Sequence, residues 1–294
     1  MRGREFTTAG YGGRHACSAA VAIALLLAGC DGRFSADLAT DTPADPEINQ
    51  LQVSLLGLEF RKADGATATL EFRAGESVDL LDLTQGDPMR LFTGEELPAG
   101  QYTGVRLLFD SGADRTVVTT NGDVFPVLLS DGAFAQVDFA VQDGESSSEL
   151  LTLTLDLRQS LRFDDVDDEY TLTPLLRTVR TGDAALIQGA VSTSCPAGTS
   201  LILGGAVYAF AGADVTADDL DGTTPEPYAT TGTVLNTDNG QFSYALRFLP
   251  AGDYTLALTC SGNEDELGAD DELDFRDGVN VTIQADDVLQ RNLS

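Results

Sequence analysis

From residue 48 onward, apolar and polar positions alternate in short runs divided by turn residues. Leu51-Gln-Val-Ser-Leu-Leu-Gly-Leu-Glu-Phe60 is the first run, and residues 66–72 form the next, ahead of an expected turn at Arg73-Ala-Gly-Glu76. Residues 78–83, 102–109, 116–119, 124–129, 135–141 and 150–157 continue the series. Thr152-Leu-Thr-Leu-Asp156 alternates residue by residue, which predicts a strand with one buried and one wet face. Asn121-Gly122 and Asp131-Gly132 are hairpin signals, because type I′ turns need residues tolerant of positive φ. No segment holds a long, capped period of 3.6 residues. Evenly spaced short strands with glycine-rich turns predict an all-β fold, a sandwich or a barrel.

Thr181-Gly-Asp183 reads as a boundary. A second β series covers residues 185–191, 200–210, 232–235, 242–248, 254–260 and 279–283, with a turn at Asp238-Asn239-Gly240. Two acidic stretches, residues 214–228 and 263–274, interrupt it and read as long loops. Leu97-Pro-Ala-Gly-Gln-Tyr-Thr103 in the first series is echoed by Leu249-Pro-Ala-Gly-Asp-Tyr-Thr255 in the second. Pro-Ala-Gly makes a turn, and the tyrosine then starts a strand whose ring caps a core. The expected architecture is two β-sandwiches in tandem, over residues 48–180 and 186–294.

The region before residue 48 has a different texture. Arg2, Arg4 and Arg14 form a basic head, residues 16–28 are apolar apart from Ser18, and the run closes on Leu27-Ala-Gly-Cys30. Basic head, short apolar stretch and small residues are the order of a secretory signal, and the stretch is shorter than the ~20 residues that span a bilayer. Leu-Ala-Gly-Cys resembles the lipobox of bacterial lipoproteins. That resemblance implies that residues 1–29 are a signal peptide and that Cys30 carries lipid, palmitate included, as the first mature residue. An ordinary cleaved signal and an uncleaved anchor are the alternatives. Residues 30–47 are polar with prolines and read as a short disordered tether. The implied location is the cell envelope, with the folded part anchored to a membrane and facing the periplasm or the cell exterior.

Composition narrows the chemistry. The chain carries a net charge of −30, which becomes −32 once residues 1–29, with three arginines and one glutamate, are removed. So acidic a surface repels nucleic acid. The sole histidine, His15, lies in the signal. The exported part therefore lacks the Ser-His-Asp triad, the Cys-His pair and histidine-ligated metals. Cys195 and Cys260 remain after Cys30 is used by lipid, and in an oxidising compartment they read as a disulfide. A two-cysteine metal site is the alternative, against which the long spacing and the absence of other soft ligands both count.

Two resemblances follow from particular pieces of sequence. Asp41-Thr-Pro-Ala-Asp45, Val78-Asp-Leu-Leu-Asp-Leu83, Leu97-Pro-Ala-Gly-Gln-Tyr102, Leu153-Thr-Leu-Asp156 and Tyr170-Thr-Leu-Thr-Pro174 occur in the order seen in domain of unknown function 4382. Residues 41–177 thus resemble that family, which occurs in exported lipoproteins and has no assigned activity. Ile187-Gln-Gly-Ala-Val191, Ala206-Val-Tyr-Ala-Phe210, Thr237-Asp-Asn-Gly-Gln-Phe242 and the second Pro-Ala-Gly motif resemble the carboxypeptidase regulatory-like, transthyretin-type sandwich. That resemblance implies a non-catalytic spacer or binding platform.

Acid clusters are the one conspicuous constellation. Asp164, Asp165, Asp167, Asp168 and Glu169 lie between two strands, and Asp218-Asp219-Leu-Asp221, Glu264-Asp265-Glu266 and Asp270-Asp271-Glu272 are the others. Calcium takes six to eight oxygen ligands from such loops. The residues 164–169 are the candidate calcium ligands, and a solvated acidic loop is the competing reading. No run fits an EF-hand. Paired carboxylates alone can serve a glycosidase, but acids are too plentiful here for any pair to stand out. The expectation is no enzyme and no cofactor beyond calcium. The functional readings are binding or adhesion, with a glycan or an envelope protein as partner, or a structural spacer.

Overall fold

A computed structural model describes residues 32–294 apart from 85, 131, 143–147 and 277. The signal peptide, Cys30 and the Asp131 half of one hairpin signal lie outside the described residues. The first half contains β1 (Gly32–Thr40), β2 (Ile48–Lys62), β3 (Thr67–Asp79), β4 (Met89–Leu97), β5 (Gly100–Phe109), β6 (Thr116–Thr119), β7 (Val124–Leu129), β8 (Ala135–Val141) and β9 (Ser148–Leu155). A helical turn, α1 (Leu157–Ser160), leads to β10 (Leu161–Asp164), β11 (Glu169–Leu172) and β12 (Leu176–Arg180). The second half contains β13 (Ala185–Val191), β14 (Ala206–Ala211), β15 (Ala229–Gly232), β16 (Val234–Asn236), β17 (Gln241–Leu249), β18 (Gly252–Thr259), β19 (Val279–Ile283) and β20 (Val288–Gln290).

Each half is a pair of facing sheets. In the first, a four-stranded sheet ordered β12-β9-β1-β4 faces an eight-stranded sheet ordered β10-β11-β7-β6-β2-β5-β8, with β3 paired to β2. Phe34, Leu38 and Leu153 of one sheet pack with Leu58, Phe60, Val105 and Phe139 of the other. Phe34 meets Phe60 edge-on at 4.9 Å and Tyr102 stacks on Phe139 at 5.0 Å. In the second half, β16-β17-β13-β20 faces β15-β14-β18-β19 around Ile187, Val207, Leu246, Leu256 and Ile283. Cys195 and Cys260 are joined by a disulfide, Cα to Cα 5.7 Å, which ties the segment after β13 to the end of β18.

Residues 32–40 are not a tether. They form β1, parallel to β9 and antiparallel to β4, in the interior of its sheet. Phe34, Ala36 and Leu38 point into the core and are fully buried. Burying Phe34 and Leu38 stabilises by about 1.5–3 kcal/mol each, which fixes a segment whose polar neighbours hide it in the sequence. β3 runs unbroken through Arg73-Ala-Gly-Glu76, but its register with β2 slips there: Glu71 pairs with Gly57 and Glu76 with Leu55, so residues 72–75 bulge out of the ladder where a turn is expected. The facing position on β2 is a glycine. Gly57 there has φ of +152°, and an added Cβ would lie 2.0 Å from the Leu70 carbonyl oxygen. The polar face expected to be wet on β9 is also buried. Thr152 lies level with Asp37, which pairs with Arg90, and its hydroxyl meets that of Thr181 at 2.8 Å.

The repeated Pro-Ala-Gly motif is a corner between sheets. Leu97 ends β4 in one sheet and Tyr102 begins β5 in the other; Leu249 and Tyr254 do the same for β17 and β18. In both corners the tyrosine hydroxyl donates to the proline carbonyl four residues back, at 2.5 Å to Pro98 and 3.0 Å to Pro250.

Candidate functional site

The two sandwiches meet across a buried polar junction. Asp156 caps α1 by accepting the Gln159 backbone N–H at 3.0 Å, and this turn sends Arg158 out of the first sandwich into the second. Arg158 is 4% exposed. Its Nη1 donates to the Gly262 carbonyl and, at 3.1 Å, to the Tyr208 hydroxyl, which in turn donates to Asp265. Asp265 Oδ2 lies 3.8 Å from Nη1. A second arginine repeats the device. Arg177 on β12 forms a bidentate pair with Asp41, donates to the Arg247 carbonyl at 3.2 Å and lies over the Tyr228 ring. Burial pushes the Asp41 carboxyl up to about 6, against the pull of the Arg177 guanidinium. Thr42 adds a hydroxyl that accepts from the Gly232 N–H at 2.6 Å.

A cleft of about 370 Å³ opens beside this junction. Asp45, Arg162, Phe163 and Tyr170 form its wall on the first sandwich, with Asn263 and Glu266 across from them on the second. Phe163 is 39% exposed. It is held by Tyr170 at 4.8 Å and by Phe125 at 5.4 Å between ring centroids. The Tyr170 hydroxyl donates to Asp45 at 3.1 Å, and both burial and that carboxylate push the phenol upward. An aromatic face bordered by a guanidinium, an amide and carboxylates can stack on one side of a polar ligand and hydrogen-bond its rim. A larger hollow of 490 Å³ over Gln136, Glu149 and Thr178 has its Arg180 already committed to Glu149 and the Asp138 carbonyl.

The acidic residues divide in an unexpected way. Asp164, Asp165, Asp167 and Asp168 sit exposed at the tip of the β10–β11 hairpin, with Glu169 half-buried. Asp164 closes that turn by accepting the N–H groups of Val166 and Asp167 at 2.9 and 3.3 Å. Among the described residues these five do not bring three carboxylate oxygens within 4.8 Å of one another. The physical reason is local: the tip spreads its side chains into solvent, and the one inward-turned carboxylate serves the backbone. The other two acidic stretches are not solvated loops. They fold over the outer face of β14, where Val215, Ala217, Leu273 and Phe275 cover Tyr208 and Phe210. There Asp219 and Asp265 are buried, and one carboxylate oxygen each from Asp219, Asp265 and Asp271 lie within 4.8 Å of one another. The alternating apolar residues of these stretches were the available signal that they pack down.

Residues 32–174 match the family model described as domain of unknown function DUF4382. The DUF4382 match begins with β1, within the segment whose composition suggests a tether, and ends between β11 and β12. No curated protein matches the chain. Solved structures similar to it include the Bacillus anthracis TIE protein, at 8% identity over 89% of this chain and 34% of that one, with a TM-score of 0.20. A family CBM26 module from Eubacterium rectale Amy13K in complex with maltoheptaose shares 12% identity over 88% and 91% of the two chains, TM-score 0.21. A putative cell adhesion protein from Bacteroides fragilis shares 11% over 89% and 92%, TM-score 0.20. The chain spans about a third of the length of the Bacillus anthracis protein. Among the described residues no helix is long and apolar enough to cross a membrane.

Proposed function

We propose that this protein is a non-catalytic binding module, held to a membrane by lipid on Cys30 and facing the periplasm or the cell exterior, that takes a glycan into the cleft between its sandwiches. The observation that carries the reading is the cleft itself: Phe163 offers a partly exposed ring beside Arg162, Asn263 and Glu266. An apolar platform with a few convergent polar groups suits a sugar ring, which has an apolar face and a hydroxyl rim. The second sandwich takes the part of a carboxypeptidase regulatory-like, transthyretin-type platform and supplies the far wall. Because β1 begins at Gly32, a lipid on Cys30 would hold the first sandwich close to the bilayer, within roughly 7 Å of chain.

The buried junction also favours a second reading, a rigid spacer without a specific ligand. One experiment separates the two. The full chain, detergent-solubilised and displayed against a glycan array, gives saturable binding that Phe163→Ala removes if the cleft is the site. Binding to no glycan, or binding indifferent to Phe163→Ala, leaves the spacer as the account.

A further inference from the structure

The acidic loops over β14 carry a second feature, which meets the cleft only at Asp265. Asp219 is 1% exposed, and its Oδ1 is buried with no hydrogen-bond partner among the described residues. Its Oδ2 accepts the Asp271 backbone N–H. Asp265, 4% exposed, accepts the Tyr208 hydroxyl and, at 3.1 Å, the Leu220 N–H. Asp271 accepts the Glu266 N–H at 2.6 Å. Arg158 reaches Asp265 at 3.8 Å, but among the described residues neither Asp219 nor Asp271 has a basic partner. A buried carboxylate oxygen left without donor or counter-charge is costly, typically by several kcal/mol. Positive charge placed beside it and the two further carboxylates would relieve that cost.

We infer that Asp219, Asp265 and Asp271 form a divalent-cation site of calcium type, which pins the two acidic loops to each other on the outer face of the second sandwich. The spacing fits. Oxygens bound to calcium at about 2.4 Å lie no more than about 4.8 Å apart, and one oxygen from each aspartate meets that limit. The donors are all oxygen, as a hard cation requires. Asp219 also groups with Asp218 and Asp221, so more carboxylates stand at hand to complete the shell with water and carbonyls. Through Asp265 the site also braces the acceptor of the Arg158 clamp. The inference can fail separately from the glycan reading, because Asp219 and Asp271, on which its test rests, do not line the cleft.

The test uses the full chain stripped with EGTA and titrated with calcium or magnesium chloride. Extracellular calcium modules bind in the 10⁻⁴–10⁻³ M range. At the tight end of that range, 10 mM calcium raises Tm by about 5–10 °C. The chain has no tryptophan, so terbium bound at the site is sensitised by tyrosine, and Tyr208 is in place to do so. We expect calcium to raise Tm and to displace terbium emission, with magnesium doing neither. Asp219→Asn and Asp271→Asn should each abolish both effects, and Asp164→Asn should leave both intact. If Asp219→Asn fails to fold, Asp271→Asn decides the matter. An unchanged Tm at 10 mM calcium, an equal rise with magnesium, or a wild-type response in Asp271→Asn overturns the assignment.

Discussion

Replacing Arg158 with methionine keeps most of the side-chain volume and removes the charge that joins the two sandwiches. Three groups lose a contact: the Gly262 carbonyl, the Tyr208 hydroxyl and the Asp265 carboxylate, which keeps Tyr208 and Leu220 as donors but loses its counter-charge. At 3.8 Å and an effective dielectric of about 20, the lost attraction to Asp265 is about 4 kcal/mol. That agrees with the roughly 3–5 kcal/mol found when one member of a buried ion pair is deleted. In a protein of this size the corresponding fall in Tm is between about 6 and 20 °C. Urea unfolding followed by far-ultraviolet circular dichroism, with EGTA present, measures the loss directly. The variant's transition should be broader than the wild type's, because only the Arg177 clamp and the Thr42 bond then couple the halves. The double variant Arg158→Met/Asp265→Asn should recover more than half of the loss, since the stranded charge is gone. A loss under about 1 kcal/mol, or a double variant whose loss is the sum of the singles, refutes the reasoning.

Opening the Cys195–Cys260 bridge, which closes a separation of 65 residues, should destabilise the second sandwich by roughly 4 kcal/mol in the chain-entropy model; equal urea midpoints with and without reductant contradict this. Asp41 titrates near 6 in the folded chain against an ordinary value of 3.8, so its contribution to stability is fully present below pH 3.8 and is lost as pH rises through 6. Stability should therefore rise by about 1.4 kcal/mol between pH 7.5 and pH 5, and a fall over that interval in urea titrations runs against it. Metabolic labelling with a palmitate analogue should mark the wild-type chain and leave Cys30→Ala unmarked; a labelled Cys30→Ala variant ends the anchor proposal.

Local devices and the Cys195–Cys260 bridge were legible in the sequence; strand pairing and burial between distant segments were not. Asn121-Gly122 does turn β6 into β7, and Asp238-Asn239-Gly240 turns β16 into β17. The Leu-Pro-Ala-Gly-x-Tyr echo correctly pointed to a turn followed by a core-capping tyrosine, and the structure adds that the turn crosses between sheets. Each of these is decided within a few residues. By contrast, β1 is held by β9, more than a hundred residues away, and its alternation of Phe34, Ala36 and Leu38 is short enough to pass for part of a polar tail. Strand β20 is three residues long and exists because β13 pairs with it. The junction was invisible for a related reason. Arg158 and Arg177 look like ordinary surface arginines until two separately folded halves close over them. Asp219 and Asp265 looked solvated until the loops carrying them were laid on the apolar face of β14.

The proposed glycan binding turns on the cleft between the sandwiches, with Phe163 as its platform. A glycan array probed with the full chain and with Phe163→Ala tests it most directly. Saturable binding to a defined set of glycans is expected, at least tenfold weaker in a folded Phe163→Ala. Equal binding by the two proteins, or no saturable binding by the wild type, contradicts it.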